Sequence, residues 1–382
     1  MKFKLTLLFI ILGYFIPQAQ ETFPKNGVEE NFEPIYAFTN AHIIISPDSE
    51  IKNGTLIIQG GKILAVDTNI NLPNNVIVNN LNGDYIYPSF IELYSNYGLK
   101  KKKKKKRKSR SPQYKSTKNG AYHWNEAIHP EINAVYNFKE NYEQAKEYLN
   151  QGFGSVLTHE QDGIFRGTGC FTLLSNKNTH ENILQEQSAS FYSFKKGSSR
   201  QRNPTSLMGS IALIKQTLLD SEWYESQNQQ KNLSYLNYNN QKDLPQIFAI
   251  NDVLDYNRVY QISDEFEIDF IIKGNGKEYK RIKEVKNTDF PIIIPINFPK
   301  AYDVSDPEST EWLTLSQLKD WETSPYNPVI LANNNIKFCI TSSDLKNKKD
   351  FLSNIRLAIK KGLKKSDALA ALTTNPASII NM

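Results

Sequence analysis

Pro88-Ser89-Phe90-Ile91-Glu92-Leu93-Tyr94-Ser95-Asn96 stands where the character of the chain changes. Upstream, from Tyr36 to Leu93, short apolar runs are broken by turns. Residues 43–45 precede Ser46-Pro47-Asp48, and residues 55–59 and 62–66 flank Gly60-Gly61 in the pattern of a glycine-turn hairpin. Residues 76–78 and 85–87 continue the series, so this part reads as a small β-rich unit. Downstream, apolar runs alternate with helical stretches. Strands are expected at 155–158, 246–250, 269–272, 291–294 and 337–340, with helices near 209–224, 252–263, 277–286, 348–362 and 366–373. That alternation argues βαβ units and a parallel sheet. The length after Pro88 suffices for eight such units, a barrel.

Three segments stand apart. Residues 100–119 are low-complexity and polar and read as a mobile loop. Residues 226–242, rich in Gln, Asn and Ser, read as a second surface excursion, and Gly167-Thr168-Gly169 reads as a turn.

Of the 382 residues, 39% are hydrophobic and 23% charged, which excludes global disorder. The formal charge of +6 is local: residues 100–110 carry ten positive charges and no negative one. Without them, 36 basic residues face 40 acidic ones, a net of −4. A general nucleic-acid-binding surface is therefore not expected. The lysine run reads as a solvated insert, dispensable for folding; the competing reading is polyanion binding. No aromatic residue interleaves with it, so base stacking is not indicated.

Met1 to Gln20 opens with Lys2 and Lys4, then runs apolar from Leu5 to Ile16. This is a signal-peptide pattern, shorter than the roughly 20 residues of a membrane span. An exported protein, periplasmic or extracellular, is expected; the competing reading is an N-terminal anchor. No membrane span is expected after the signal peptide. Two cysteines, Cys170 and Cys339, make no disulfide framework or CxxC pair. The five histidines include no HxH and no HExxH.

The stretch Asn53-Gly-Thr-Leu-Ile-Ile-Gln-Gly-Gly-Lys-Ile-Leu-Ala-Val66 resembles the β-sandwich opening of the metal-dependent amidohydrolase superfamily, in particular its exported, imidazolonepropionase-like members. In that family a Pro-Gly-Phe-Ile-Asp-x-His-x-His motif follows on the first barrel strand, and residues 88–96 stand at its place. Residues 368–377, ending Asn375-Pro376-Ala377, resemble the closing helix. Thr341-Ser342-Ser343-Asp344 resembles the eighth-strand segment with the catalytic aspartate. The resemblance runs from about residue 36 to the end. It implies an α/β fold: a TIM-like (β/α)8 barrel (residues 88–382, with the basic loop at 100–119) preceded by a small, incomplete β-sandwich unit (30–87) and a signal peptide (1–20).

The resemblance also implies zinc. Two imidazoles at i and i+2 on one strand would face one metal, and the metal would make hydroxide available at neutral pH. This chain departs from that pattern. Tyr94 and Asn96 replace the paired histidines, Ala249 or a neighbour replaces the next, and Lys273-Gly274-Asn275-Gly276 carries none. No metal ligand set and no cofactor are expected. Asp344 is the candidate catalytic residue, or else caps the next helix. Tyr94, Asn96 and His159 are candidate substrate-binding residues. His123 and His129 flank Trp124, Asn125 and Glu126, while His42, His180 and Cys170 have no functional setting.

Two functions compete. By resemblance the chain is a hydrolase of non-peptide carbon–nitrogen bonds acting on a small molecule. The alternative is an inactive pseudo-enzyme half that binds or scaffolds an active amidohydrolase partner. In the resembled family the chain returns after the barrel to add strands to the β-unit. Here it stops at Asn381-Met382, so an uncovered β-unit edge is expected, filled by a missing segment or a second subunit. Alternatively, the β-unit closes on itself.

Overall fold

A computed structural model describes residues 33–100, 111–226, 231–305 and 307–382. The leader and most of the lysine run lie outside the described residues. The described residues divide into two compact units, one of residues 33–43 with Ile51–Ile86, the other of Ile44–Glu50 with those described from Tyr87 to Met382.

The first unit is a five-stranded sheet of β1 (Ile35–Ser46), β2 (Ser49–Gln59), β3 (Lys62–Asp67), β4 (Val76–Asn80) and β5 (Tyr85–Ile86). Its order is β3-β2-β1-β4, with β5 also paired to β1. Gly60 and Gly61 join β2 to β3 at φ of +58° and +71°, the paired left-handed conformation of a tight hairpin that glycine adopts without a Cβ clash. Strands β3 and β4 are the outer ones, and Ile63, Leu64, Ile77 and Val78 on them are exposed.

The second unit contains β6 (Phe90–Ser95), β7 (Phe153–Thr158), β8 (Phe165–Leu173), β9 (Ile183–Ser193), β10 (Gln246–Ala249), β11 (Phe270–Lys273), β12 (Ile292–Pro295) and β13 (Phe338–Thr341). They form one eight-stranded sheet in chain order. Successive residues alternate between two apolar clusters, as the two-residue period of a strand requires. Ile247, Ile271, Ile293 and Cys339 join Leu93, Leu157 and Phe191 on one side. Phe248, Ile272, Ile294 and Ile340 join helix residues Ile214, Val259, Phe351 and Ala358 on the other.

The sheet corrects three expectations. It is not all parallel, because β8 runs antiparallel to both β7 and β9. Residues 159–164 are too few for a parallel crossover, which takes about a dozen. Second, Gly167-Thr168-Gly169 lies inside β8 and is not a turn. Gly167 has φ +75°, and a Cβ there would sit 1.9 Å from the Ile132 carbonyl oxygen, which accepts from Thr168 N–H at 2.9 Å. Only glycine permits that approach. Third, residues 233–239 of the expected excursion form the helix Leu233–Asn239. Asn232 caps it through Ser234 and Tyr235 N–H at 2.9 and 3.2 Å, and Ser234 and Tyr238 are buried.

Residues 111–119 also depart from a mobile loop. Glu126 Oε1 accepts from Thr117 N–H at 2.6 Å, Thr117 Oγ1 at 2.9 Å and Gln113 Nε2 at 2.8 Å. Gln113 forms a bridge with Gln201, and Arg202 N–H donates to Gln113 O at 2.7 Å. Polar side chains here tie the segment down where its composition suggested solvation. No helix among the described residues is long and apolar enough to cross a membrane.

Candidate functional site

The C-terminal ends of the parallel strands share one edge of the large sheet, and the start of antiparallel β8 meets them there. Tyr94 (β6), His159 (after β7), Arg166 (β8), Ser193 (β9), Lys273 (β11) and Asp344 (after β13) converge at this edge.

Tyr94 is the hub. Arg166 Nη1 donates to its hydroxyl at 2.7 Å, the His159 ring lies 4.5 Å from its ring centre, and Lys273 Nζ stands 5.4 Å over it. Arg166 is buried, and among the described residues it donates only to neutral acceptors: Tyr94, Ser193 Oγ at 2.8 Å and Gly163 O at 3.1 Å. Lys273 donates to Gly274 O at 3.1 Å and forms an ion pair with Asp344. The pair is uneven: the lysine side chain is 6% exposed and the aspartate 57%.

His159 is fully buried, its ring stacked on Phe191 at 3.5 Å and 4°. Neither ring nitrogen has a hydrogen-bond partner among the described residues. Burial, with Arg166 adding repulsion, holds its pKa well below the usual histidine value, so the ring is neutral. A cleft of about 260 Å³ opens here, lined by Asn96, Leu99, Lys100, His159, Glu160, Gln161 and Asp162.

All four residues singled out from sequence thus meet at one edge, with adjustments. Strand β6 ends at Ser95, so Asn96 lies one residue past it, not on the strand. The β6–β7 register shifts between Glu92 and Ser95, which breaks the two-residue period the motif assumed. Asp344 is not a helix cap: Asn347 and Asp350 cap the helical turns that follow, and Asp344 sits in a turn at φ +64°.

Sequence reasoning passed over Lys273, Arg166 and Glu92. A lysine closing the apolar run Phe270–Ile272 was the available signal for the first. Glu92 is fully buried and accepts from Tyr94 N–H at 3.0 Å, Ser342 N–H at 2.7 Å, Ser342 Oγ at 2.6 Å and Thr341 Oγ1. These bonds join the first and last strands of the sheet. Burial raises its pKa in spite of the four donors, which pull the other way.

His123 and His129 lie elsewhere, beside a cavity of about 610 Å³. His123 Nδ1 accepts from Asn125 N–H at 3.0 Å, and burial lowers its pKa to about 4. Cys170 is inert, its thiol pushed up to about 12 by burial. A cleft of about 560 Å³ at the opposite edge, beside Pro245 and Asp269, contains none of the candidate residues.

Zinc does not fit these groups. Among the described residues no three His, Cys, Asp or Glu side chains gather as ligands. Asp344 is held by the Lys273 ammonium, and the buried Arg166 guanidinium stands at the Tyr94 hydroxyl of the same edge. A dication about 5 Å from one such cation is repelled by about 7 kcal/mol at an effective dielectric of 20.

The fold is that of an amidohydrolase from Thermotoga maritima MSB8, matched at TM-score 0.70 and 18% identity over 91% of this chain and 88% of that one. A prolidase complexed with N-methylphosphonate-L-proline covers the same shares at 13% identity and TM-score 0.48. A β-aspartyl dipeptidase from Fervidobacterium islandicum AW-1, in complex with a β-Asp-Leu dipeptide, covers 91% and 87% at 15% identity and TM-score 0.47. No family model and no curated protein matches the sequence.

Proposed function

We propose that this chain is a small-molecule-binding protein on an amidohydrolase-type barrel, and that it does not carry out metal-dependent hydrolysis. The observation that carries this reading is the Lys273–Asp344 ion pair. Metal-assisted cleavage of a carbon–nitrogen bond needs a carboxylate free to take a proton from bound water. In this chain that carboxylate belongs to a lysine. Barrel closure is part of the reading and is supported by the hydrogen bonds of Glu92 to Thr341 and Ser342. The leader-like composition of residues 1–20 supports export. The exposed Ile63, Leu64, Ile77 and Val78 on the outer strands of the β-unit support a second subunit.

Elemental analysis of the purified chain, before and after incubation with excess zinc and gel filtration, tests the proposal. Substoichiometric zinc in both samples is expected. A retained, stoichiometric zinc would overturn it.

A further inference from the structure

We propose that the strand ends beside this cleft bind a small hydroxycarboxylate, whose carboxylate replaces Asp344 on Lys273 and whose hydroxyl bonds the imidazole of His159. The inference deepens the metal-free binding reading and rests on it.

Two independent observations support it. The first is the unevenness of the ion pair. A buried ammonium needs an anion, because an unpaired charge away from water is strongly disfavoured. Lys273 is almost fully enclosed, whereas more than half of the Asp344 side chain faces solvent. The aspartate can therefore swing into water at little cost, provided another carboxylate takes its place. It behaves as a built-in stand-in for a ligand. Among the described residues the buried Arg166 donates only to neutral acceptors, so the edge keeps a positive charge that an anion offsets.

The second is His159. Buried polar groups are almost always hydrogen-bonded, and here, among the described residues, both nitrogens of a fully buried ring are not. The ring is neutral, so it offers one N–H donor and one bare acceptor. A hydroxyl can answer either. His159 lines the cleft together with Asn96, which places it beside a ligand there.

Tyr94 sets the spacing. The ammonium is 5.4 Å and the imidazole centre 4.5 Å from the centre of its ring, so at most about 10 Å separates the two. Two hydrogen bonds of about 2.8 Å then leave at most about 4 Å between the ligand's carboxylate and hydroxyl oxygens. That is the reach of a short hydroxy acid. The modest cleft volume agrees, since it is smaller than a typical pocket for drug-sized ligands.

Calorimetric titration with glycolate and with acetate, which differ by the hydroxyl, tests the proposal. Glycolate is expected to bind better than acetate. Asp344→Asn removes the internal competitor; if Asp344 vacates Lys273 in about a tenth of molecules, both anions gain about tenfold. His159→Phe, stacked on Phe191 like the native ring, is expected to reduce glycolate to the level of acetate. Lys273→Met is expected to abolish binding of both. An unchanged affinity in Asp344→Asn, or a glycolate preference that survives His159→Phe, would overturn the proposal. So would the absence of glycolate binding, with or without excess chelator. Binding that vanishes only with chelator would reveal a metal and sink the metal-free reading itself.

Discussion

Glu92 on β6 and Ser342, just past β13, share two hydrogen bonds, 2.7 Å from the Ser342 N–H and 2.6 Å from its hydroxyl. The contact spans 250 residues of chain and joins the first strand of the large sheet to its last. Both carboxylate oxygens act as acceptors, one toward Tyr94 and Thr341, the other toward Ser342.

This arrangement makes Glu92→Gln a damaging isostere. An amide NH2 has no lone pair, so it must confront the N–H of either Tyr94 or Ser342, at a cost of about 1–3 kcal/mol. The pH dependence has a definite sign. The folded pKa is raised, so the folded state holds the extra proton and stability falls as pH rises above the ordinary value of 4.5. Urea unfolding from pH 4.5 to 8 should show the gap between wild type and variant narrowing as pH rises. A constant gap would refute the assignment.

His123 acts in the opposite direction. Its pKa falls from 6.5 to about 4 on folding, so the unfolded chain binds the proton first. Its contribution is complete above pH 6.5 and erodes below it, by about 3 kcal/mol at pH 4. His123→Gln should lose less stability than wild type between pH 7 and pH 4 in denaturant titrations. Equal losses would count against a neutral buried ring.

Gly167→Ala should destabilise the second unit by about 2–4 kcal/mol, through a left-handed backbone and a Cβ driven into the Ile132 carbonyl. Gly61→Ala, at a similar φ but with nothing within 4 Å of the added Cβ, should cost only about 1 kcal/mol. Thermal midpoints of the two variants measure the difference. Equal shifts would mean that the approach of Ile132 is unimportant.

Glu126→Ala should free residues 113–117 without disturbing the sheet. Hydrogen exchange at the Thr117 amide, now bound to Glu126 at 2.6 Å, should accelerate toward the rate of an open loop, while the amides of β10 to β12 stay protected. Retained protection at Thr117 would show that other contacts hold the segment.

Much of the strand and helix pattern was legible because it rests on local properties. Alternation with a period of two, the Gly60-Gly61 turn and the helical spacing of Ile211, Ile214 and Leu218 are each decided within a few residues. That Tyr94 and Asn96 offer no His-x-His pair is likewise a fact of composition. The partners gathered around them were not legible. Lys273 meets Asp344 across 71 residues, and Arg166 meets Tyr94 across 72. Such pairs exist only once strand order and register set which ends lie side by side. The reversal of β8 brings Arg166 to the same edge as the ends of its parallel neighbours, and the sheet buries His159 against Phe191. Local sequence dictates which residues can form a strand; the tertiary structure decided which charges share an edge, because burial and long-range pairing depend on the whole sheet at once.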